Sequence, residues 1–180
     1  DKKTQLRLIA FGGKEKTYQA WNGLDAETYK TDPKFNVSGA IYDQNFENIV
    51  GFYDNETDNY RQNHFQLLWN KNLNDTWNLE TTIQYTKGKG YYENYKQSAK
   101  FSKYNLPNIG TQSRTDFIRK KWLDNDFYGV ISTISGKFDA VDFNAGIVAN
   151  QYDGDHFGNV SGVFNPTIFE HEYYRNNSVK

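Results

Sequence analysis

Hydrophobic and polar residues alternate along two neighbouring stretches of the chain. Residues 60–73 place Phe65 and Leu67 on an apolar face and mainly polar side chains on the other. Residues 77–87 repeat this pattern after a short connection at 73–76 that is rich in Asn and Asp. Alternation with a period of two predicts β-strands, and a short Asn/Asp connection joins two such strands in a hairpin.

A second hairpin follows the same pattern further along the chain. Residues 126–138 and 142–152 alternate in the same way on either side of a short turn at 139–141. Single strands over 5–11 and 169–178 complete the set. The sequence therefore predicts an all-β fold, an antiparallel meander of about six long strands.

The connections between these strands alternate in length. The turns within the hairpins, 73–76 and 139–141, are short, whereas the polar segments 12–59, 88–120 and 153–168 are long. In a meander, this places every tight turn at one end and every long loop at the other, as in transmembrane β-barrels with their short periplasmic turns and long extracellular loops. The four hairpin strands also have the roughly 9–11 residues that a tilted strand needs to cross a bilayer.

Aromatic residues are placed where a membrane-spanning strand would meet the lipid headgroups. Trp69 and Trp77 flank the first tight turn, and Phe138 and Phe143 flank the second. Tyr85 lies eight residues beyond Trp77, a height of roughly 19 Å at ~3.3 Å per residue and ~45° tilt. These five residues are predicted to form the aromatic girdles of the barrel. Three residues of the opposite face are predicted to face the lumen: His64, Glu80 and Gln84.

Composition restricts the classes of function further. Aromatic residues make up 17% of the chain, although the mean hydropathy is low at −0.89, which fits a sheet with much polar surface. The net charge of −1 argues against a nucleic-acid partner. The absence of Cys excludes disulfides, thiol catalysis and Cys-based zinc sites. No run of eighteen apolar residues predicts a transmembrane helix.

No catalytic or metal-binding set emerges from the polar residues. His64, His156 and His171 are far apart, and no nucleophile–base order can be assigned, so we expect no enzyme activity and no cofactor. Residues 152–156 offer oxygen and nitrogen ligands but lack the pattern of a calcium loop, and residues 53–58 are acidic enough to attract a cation. We expect the former to be a turn stabilised by Asx bonds and the latter a solvated loop.

Four segments resemble sequences of TonB-dependent outer-membrane receptors of the kind found in Bacteroidetes. They are residues 12–23 (GGKEKTYQAWNG), 86–96 (TKGKGYYENYK), 119–129 (RKKWLDNDFYG) and 150–158 (NQYDGDHFG). The resemblance covers nearly the whole chain, in the order that the family has these segments. The strings carry no chemical code, so they indicate a lineage more clearly than a substrate.

The resemblance implies a 22-stranded barrel in the cell outer membrane, plugged by an N-terminal domain and energised through the TonB complex. Such receptors import bulky, scarce ligands: ferric siderophores, haem, cobalamin or glycans. Six strands are too few to close a barrel, since the smallest natural ones need about eight. We therefore expect residues 1–180 to be an internal slice of the barrel that contacts lipid directly, and the plug domain and TonB through the rest of the receptor.

Aromatic residues in or beside the predicted long loops are candidates for ligand contact. They are Tyr18, Trp21, Tyr91, Tyr92 and Tyr95. Such rings stack on sugars or flat chelates, although aromatic residues in loops more often pack the loops against one another. The alternative function is a soluble β-sheet carbohydrate-binding module, because a soluble sheet with one buried face alternates in the same way.

Overall fold

The computed structural model describes residues 3–163 and 169–179. The chain forms a six-stranded antiparallel sheet, whose strands lie side by side in chain order, and a separate two-stranded hairpin. The strands are β1 (Thr4–Tyr18), β2 (Ala40–Tyr42), β3 (Ile49–Phe52), β4 (Thr57–Asn72), β5 (Trp77–Lys100), β6 (Arg114–Lys137), β7 (Asp142–Gly162) and β8 (His171–Val179). Helix α1 (Ala26–Thr31) and a 3-10 helix (Phe101–Tyr104) lie in the connections. The predicted all-β, antiparallel sheet of six long strands is confirmed, with β2 and β3 as a small addition.

The central strands are about twice as long as predicted. Strands β5 and β6 each have 24 residues, so most of the long loop predicted over 88–120 is wrong: the connection itself is 101–113. Opposite charges face each other across this extension, as in the pairs Lys89–Asp124 and Glu93–Lys120. Such cross-strand pairs stabilise neighbouring strands where neither face is apolar.

The other two predicted loops are also shorter in the structure. Strand β1 continues to Tyr18, and the segment 19–56 before β4 contains α1, β2 and β3, which the sequence did not predict. Strand β7 runs to Gly162, so the loop predicted over 153–168 begins at 163. Residues 164–168 of that prediction lie outside the described residues.

Both tight turns lie at the same end of the sheet. Residues 73–76 join β4 to β5, and residues 138–141 join β6 to β7. In the first turn, the Asn74 Oδ1 atom accepts hydrogen bonds from the backbone N–H groups of Thr76 (2.9 Å) and Trp77 (2.8 Å). An Asn side chain that bonds to the backbone in this way favours a tight turn.

We divide the sheet at the row formed by Phe65, Tyr85 and Tyr128. The part between this row and the tight turns is the turn-end half, and the part beyond the row is the loop-end half. The two faces of the sheet are named the Leu67 face and the Gln66 face, because adjacent strand residues point to opposite sides. On the Leu67 face, the register aligns one apolar row across five strands: Leu8, Leu67, Ile83, Val130 and Ala149.

The buried apolar core lies in the loop-end half. The fully buried side chains among the described residues are Phe101, Tyr104, Phe117 and Val160. The 3-10 helix folds over the Gln66 face, where the Tyr104 and Phe117 rings meet edge to face with centroids 5.0 Å apart. In the turn-end half of the described chain, in contrast, no side chain is buried. The core therefore anchors the loops to the sheet and leaves the apolar row uncovered.

Candidate functional site

A depression of about 470 Å3 on the Gln66 face of the loop-end half brings together aromatic, acidic and basic side chains. Among its lining residues are Glu15, Asp58, Tyr60, Tyr92, His156 and Tyr174. A larger depression of about 610 Å3 lies between the tight turns. It is lined mainly by the strand ends beside the turns and contains two aromatic rings, those of Trp77 and Phe143. The loop-end depression gathers more aromatic side chains around its acidic and basic groups, which is the composition of a recognition site.

Two carboxylates approach each other at the rim of the loop-end depression. Glu15 pairs in register with Tyr60, and Asp58 lies two residues before Tyr60 on the same face. Burial, followed by the negative charge of Glu15, raises the pKa of the Asp58 carboxyl group. Lys121, in register with Tyr92, lines the same depression. Two acids and an amine around aromatic rings are suited to hydrogen bonding with a polar ligand.

Tyr92 is the centre of an aromatic and cationic cluster. Its ring meets that of Trp21 edge to face, with centroids 4.6 Å apart. The Arg119 guanidinium and the Lys121 amine lie 6.0 and 5.9 Å from the centroid of the Tyr92 ring, within the range of cation–π attraction. Trp21 is 60% exposed, so a flat ligand could stack on it directly.

The structure separates the aromatic residues that the sequence grouped as ligand candidates. Trp21 and Tyr92 come together, whereas Tyr91 lies on the opposite face with its ring 4.4 Å from that of Trp122. Tyr95 also lies on the Leu67 face, where its ring stacks on that of Tyr53 at 5.8 Å. Tyr91, Tyr92 and Tyr95 belong to β5 and not to a loop, so the prediction of their position was wrong. Tyr18, at the end of β1, is exposed.

A buried polar network fixes the segment 19–56 beside this site. The Asn94 Nδ2 group donates to Glu56 Oε1 (2.5 Å) and to Gln19 Oε1 (2.7 Å), and the Tyr95 backbone N–H donates to Glu56 Oε2 (3.0 Å). Arg119 Nη2 donates to Asn94 Oδ1 at 2.6 Å. Glu56 is only 3% exposed. Because the buried side chains of Gln19, Glu56 and Asn94 all have hydrogen-bond partners, the network stabilises one position of the segment.

This network corrects the prediction that residues 53–58 form a solvated loop. Besides the buried Glu56, the Tyr53 hydroxyl donates to the Glu93 carboxylate, and Asn55 Nδ2 donates to the same oxygen at 2.6 Å. Burial, and then the hydrogen bond to Glu93, raises the pKa of the Tyr53 hydroxyl. Hydrogen bonds of these residues with Glu93 and Tyr95 attach residues 53–56 to β5.

The predicted turn at 152–156 is also wrong, because these residues lie inside β7. Among the described residues, no group of three or more His, Asp or Glu side chains is arranged to hold a metal ion. No local pattern in the sequence indicates that Glu15, Asp58, Tyr60 and Tyr174 line one depression, since they come from three different strands. A signal for Tyr60 existed in Gly88 and Gly90: a Cβ atom at either position would overlap Tyr60 or its backbone neighbour.

The remaining predicted site residues share the faces expected from their spacing. His64, Glu80 and Gln84 lie on the Gln66 face, where His64 Nδ1 is 2.9 Å from Thr86 Oγ1 and its ring stacks on Phe11. The residues predicted to form aromatic girdles lie at the two ends of the apolar face. The Trp77 ring contacts those of Phe138 (5.5 Å) and Phe143 (5.9 Å) near the turns, and Trp69 lies in the adjacent strand. The Tyr85 ring stacks between those of Phe65 (6.1 Å) and Tyr128 (5.1 Å) at the other end.

No protein-family model, curated protein or solved structure matches this chain. Among the described residues, no helix is long and apolar enough to span a membrane.

Proposed function

We propose that this chain is part of the barrel wall of a TonB-dependent outer-membrane receptor, which imports a bulky, scarce ligand. The observation that carries this proposal is the Leu67 face of the turn-end half: it is apolar, no segment among residues 3–163 and 169–179 covers it, and aromatic rows bound it at both ends. The large apolar side chains exposed on this face are Leu6, Leu8, Phe65, Trp69, Ile83, Tyr128, Val130, Phe143 and Ile147.

Such a face is unfavourable in water. Leu8 is 74% exposed and Ile147 is 67% exposed. Transfer of such a side chain from water to an apolar environment is favourable by ~1.5–3 kcal/mol of free energy. A soluble sheet would cover this face with a second layer, but no described segment lies on it. Lipid acyl chains supply the missing apolar contact. This absence of a covering layer supports the receptor over a soluble carbohydrate-binding module.

The polarity of the Leu67 face changes at one height across several strands. Beyond the row of Phe65, Tyr85 and Tyr128, the same face carries Lys87 and Asp126, joined by an ion pair of 2.8 Å. A lipid-facing strand changes in this way where it leaves the bilayer, because amphipathic rings prefer the headgroup level and charges prefer the water beyond it. In this proposal, only the turn-end half spans the membrane.

Both margins of the sheet offer hydrogen-bonding groups to further strands. In the described chain, Thr4–Tyr18 pair with β4 on one side only. At the opposite margin, β8 pairs with Gly154–Val160 and leaves residues 142–153 of β7 uncovered. Open strand edges invite pairing with additional strands, as the neighbouring strands of a larger barrel would provide.

The Gln66 face then becomes the inner wall, and its loop-end depression lies at the extracellular mouth. Trp21 and Tyr92 offer rings there, and Glu15, Asp58 and Lys121 offer polar contacts. We assign ligand contact to this depression. Plug contact is assigned to the lower part of the inner wall, where His64, Glu80 and Gln84 lie.

Two tyrosines on opposite faces provide a matched test of ligand contact. In the full receptor, Tyr92→Ala is expected to weaken ligand binding and uptake about ten-fold, because it removes a ring from the inner wall. Tyr128→Ala, a change of the same size on the outer face and outside the depression, should leave both unchanged. Equal losses in the two variants, or no loss in either, would remove the depression from the ligand path.

Fractionation of cells separates the two classes of function. The receptor is recovered with the outer membrane, whereas a carbohydrate-binding module is recovered in the soluble fraction. Recovery of the full-length gene product in the soluble fraction would overturn the receptor proposal and transfer the rings of Trp21 and Tyr92 to a sugar-binding surface.

A further inference from the structure

A row of basic side chains crosses three adjacent strands on the Leu67 face, immediately beyond the aromatic row. The register aligns Lys14 of β1 with Arg61 of β4, and Arg61 with Lys89 of β5. Lys16 follows two residues further along β1 on the same face. Strand alternation therefore concentrates cations on one side of the sheet at one height.

These cations are only partly neutralised within the described residues. Lys89 Nζ lies 2.8 Å from Asp124 Oδ2, and Asp124 is shared with Lys87, whose Nζ atom is 2.8 Å from Asp124 Oδ1. Lys14 and Arg61 make no ion pair or hydrogen bond with any described residue, and Lys16 bonds only to the neutral amide of Asn55. An excess of positive charge remains on the side of the sheet formed by β1, β4 and β5.

The basic residues surround a depression of about 410 Å3, which shares several lining residues with the candidate ligand site but not its basic residue Lys121. The shared residues are Glu15, Tyr60, Gly90, Tyr91 and Trp122. Lys14, Lys16, Arg61 and Lys89 line it together with the rings of Tyr91 and Trp122. The Lys89 amine also lies 5.9 Å from the centroid of the Trp122 ring. Cations beside a planar aromatic surface form a site for a group that is anionic at one end and apolar at the other.

We propose that this basic row binds the phosphate groups of anionic lipids in the leaflet around the barrel. The inference rests on the proposed membrane function, which places the apolar face in lipid. Lys89 lies four residues beyond Tyr85, a height of roughly 9 Å along a tilted strand. Headgroups occupy about 5–8 Å on each side of the hydrocarbon core, and long Lys and Arg side chains reach back to that level.

The charge pattern favours a lipid phosphate over an acidic protein partner. The row lies directly above the exposed apolar face, so a lipid whose acyl chains cover Phe65 and Ile83 presents its phosphate at Arg61. Arg binds phosphate with two parallel hydrogen bonds, and Lys adds a point charge. On the same face but near the opposite margin of the sheet, Asp153 and Asp155 of β7 repel a lipid phosphate. Binding is therefore restricted to the margin formed by β1, β4 and β5.

The test compares lipid binding by the full-length protein in nanodiscs of phosphatidylglycerol and of phosphatidylcholine, with retained lipids counted by native mass spectrometry. The wild-type protein is expected to retain phosphatidylglycerol preferentially. The variant Lys14→Gln/Arg61→Gln/Lys89→Gln should lose this preference by about five-fold for each charge removed. The control Lys30→Gln/Lys34→Gln/Lys103→Gln removes the same charge from exposed residues of the connections and should retain the preference.

Each outcome decides between distinct conclusions. Equal phosphatidylglycerol retention by the two triple variants, or no preference in the wild type, would overturn the lipid site and leave the membrane proposal intact. Failure of the wild-type protein to enter nanodiscs of either lipid would overturn the membrane proposal itself. Loss of the preference when millimolar inorganic phosphate is added would show a site for free phosphate and would also overturn the inference.

Discussion

The two halves of this sheet share one hydrogen-bonded ladder but differ in what stabilises their side chains. In the loop-end half, chain segments fold back onto the strands and form a small buried core and a buried polar network. In the turn-end half, the strands carry an apolar face that no described segment covers. Strand pairing therefore persists over the 24 residues of β5 in two different surroundings. The buried apolar core lies in the loop-end half, although the most apolar strand segments lie in the turn-end half.

Removal of a core ring is expected to have the largest effect, and only in the loop-end half. Phe117 is fully buried, and its ring contacts those of Phe101 (5.8 Å) and Tyr104 (5.0 Å). Phe117→Ala should lower the free energy of local unfolding by about 4 kcal/mol, since it removes apolar contact and leaves a cavity. Hydrogen exchange of the Asn105 and Leu106 amides, which bond back to the 3-10 helix, measures this loss.

The control for Phe117 is an apolar residue of the same strand in the turn-end half. Ile131 is exposed on the Gln66 face, so Ile131→Ala should cost less than about 1 kcal/mol. A cost at Ile131 as large as that at Phe117 would mean that the inner wall of the turn-end half is covered by a packed layer, and the distinction between the halves would be lost.

A charge introduced into the apolar face tests whether the turn-end half lies in lipid. Ile83 lies near the middle of the apolar face, and Ile83→Lys should destabilise the protein in lipid vesicles by about 3 kcal/mol, the cost of Lys near the bilayer midplane. Gln84→Lys places the same charge on the next residue and the opposite face, where the cost should be small. Urea-induced unfolding followed by Trp fluorescence gives both values. A soluble sheet with an exposed Ile83 would tolerate both changes equally.

The same contrast explains which part of the fold could be predicted from the sequence. The turn-end strands alternate clearly because one face is apolar and the other polar, so 60–73 and 126–138 were recognisable. In the loop-end half both faces carry polar and aromatic side chains, and adjacent rings such as Tyr91 and Tyr92 belong to opposite faces. No period of two remains there, and the strand extensions were therefore interpreted as loops.

Glycine and distance along the chain account for most of the missed site. Gly88 and Gly90 are typical of loops, but in β5 they make room for Tyr60. The contact between Trp21 and Tyr92 joins residues 71 positions apart (92 minus 21), and no local pattern indicates such a pair. One local feature of the sequence indicates helix α1: Asp25 directly precedes its first residue, where an N-cap residue is expected.

An acidic residue in each half gives the third comparison. Glu56 is buried and accepts hydrogen bonds from Asn94 and the Tyr95 backbone, so Glu56→Ala should cost about 2 kcal/mol by leaving these donors without a partner. Glu80 accepts from Asn70 and Asn78, both at 3.2 Å, at an exposed position of the turn-end half. Glu80→Ala should be nearly neutral, because water replaces the carboxylate.

Thermal unfolding and amide exchange of the residues around Asn94 measure the difference between the two glutamates. Equal costs would contradict a buried network confined to the loop-end half. Glu56→Gln should recover only part of the loss, because the amide keeps one acceptor oxygen and places an N–H donor against the second donor.

The smallest expected effect is a local dependence on pH at the N-terminus of α1. The Asp25 carboxylate accepts hydrogen bonds from the backbone N–H groups of Thr28 (2.9 Å) and Glu27 (3.0 Å). The backbone bond from Thr28 is the largest of the effects that lower the pKa of Asp25 below its usual value of 3.8. The stabilisation of α1 is therefore fully present above pH ~4 and is lost as the pH falls through the lowered pKa.

Amide exchange at Thr28 and Tyr29, corrected for its intrinsic rate, should show this loss in the wild type at low pH. In Asp25→Ala, the same loss of protection should be present at every pH. Exchange at Phe117 should remain unchanged throughout, because α1 is an attachment to the loop-end half and not part of its core; parallel loss of protection at both places would show that the helix and the core unfold as one unit.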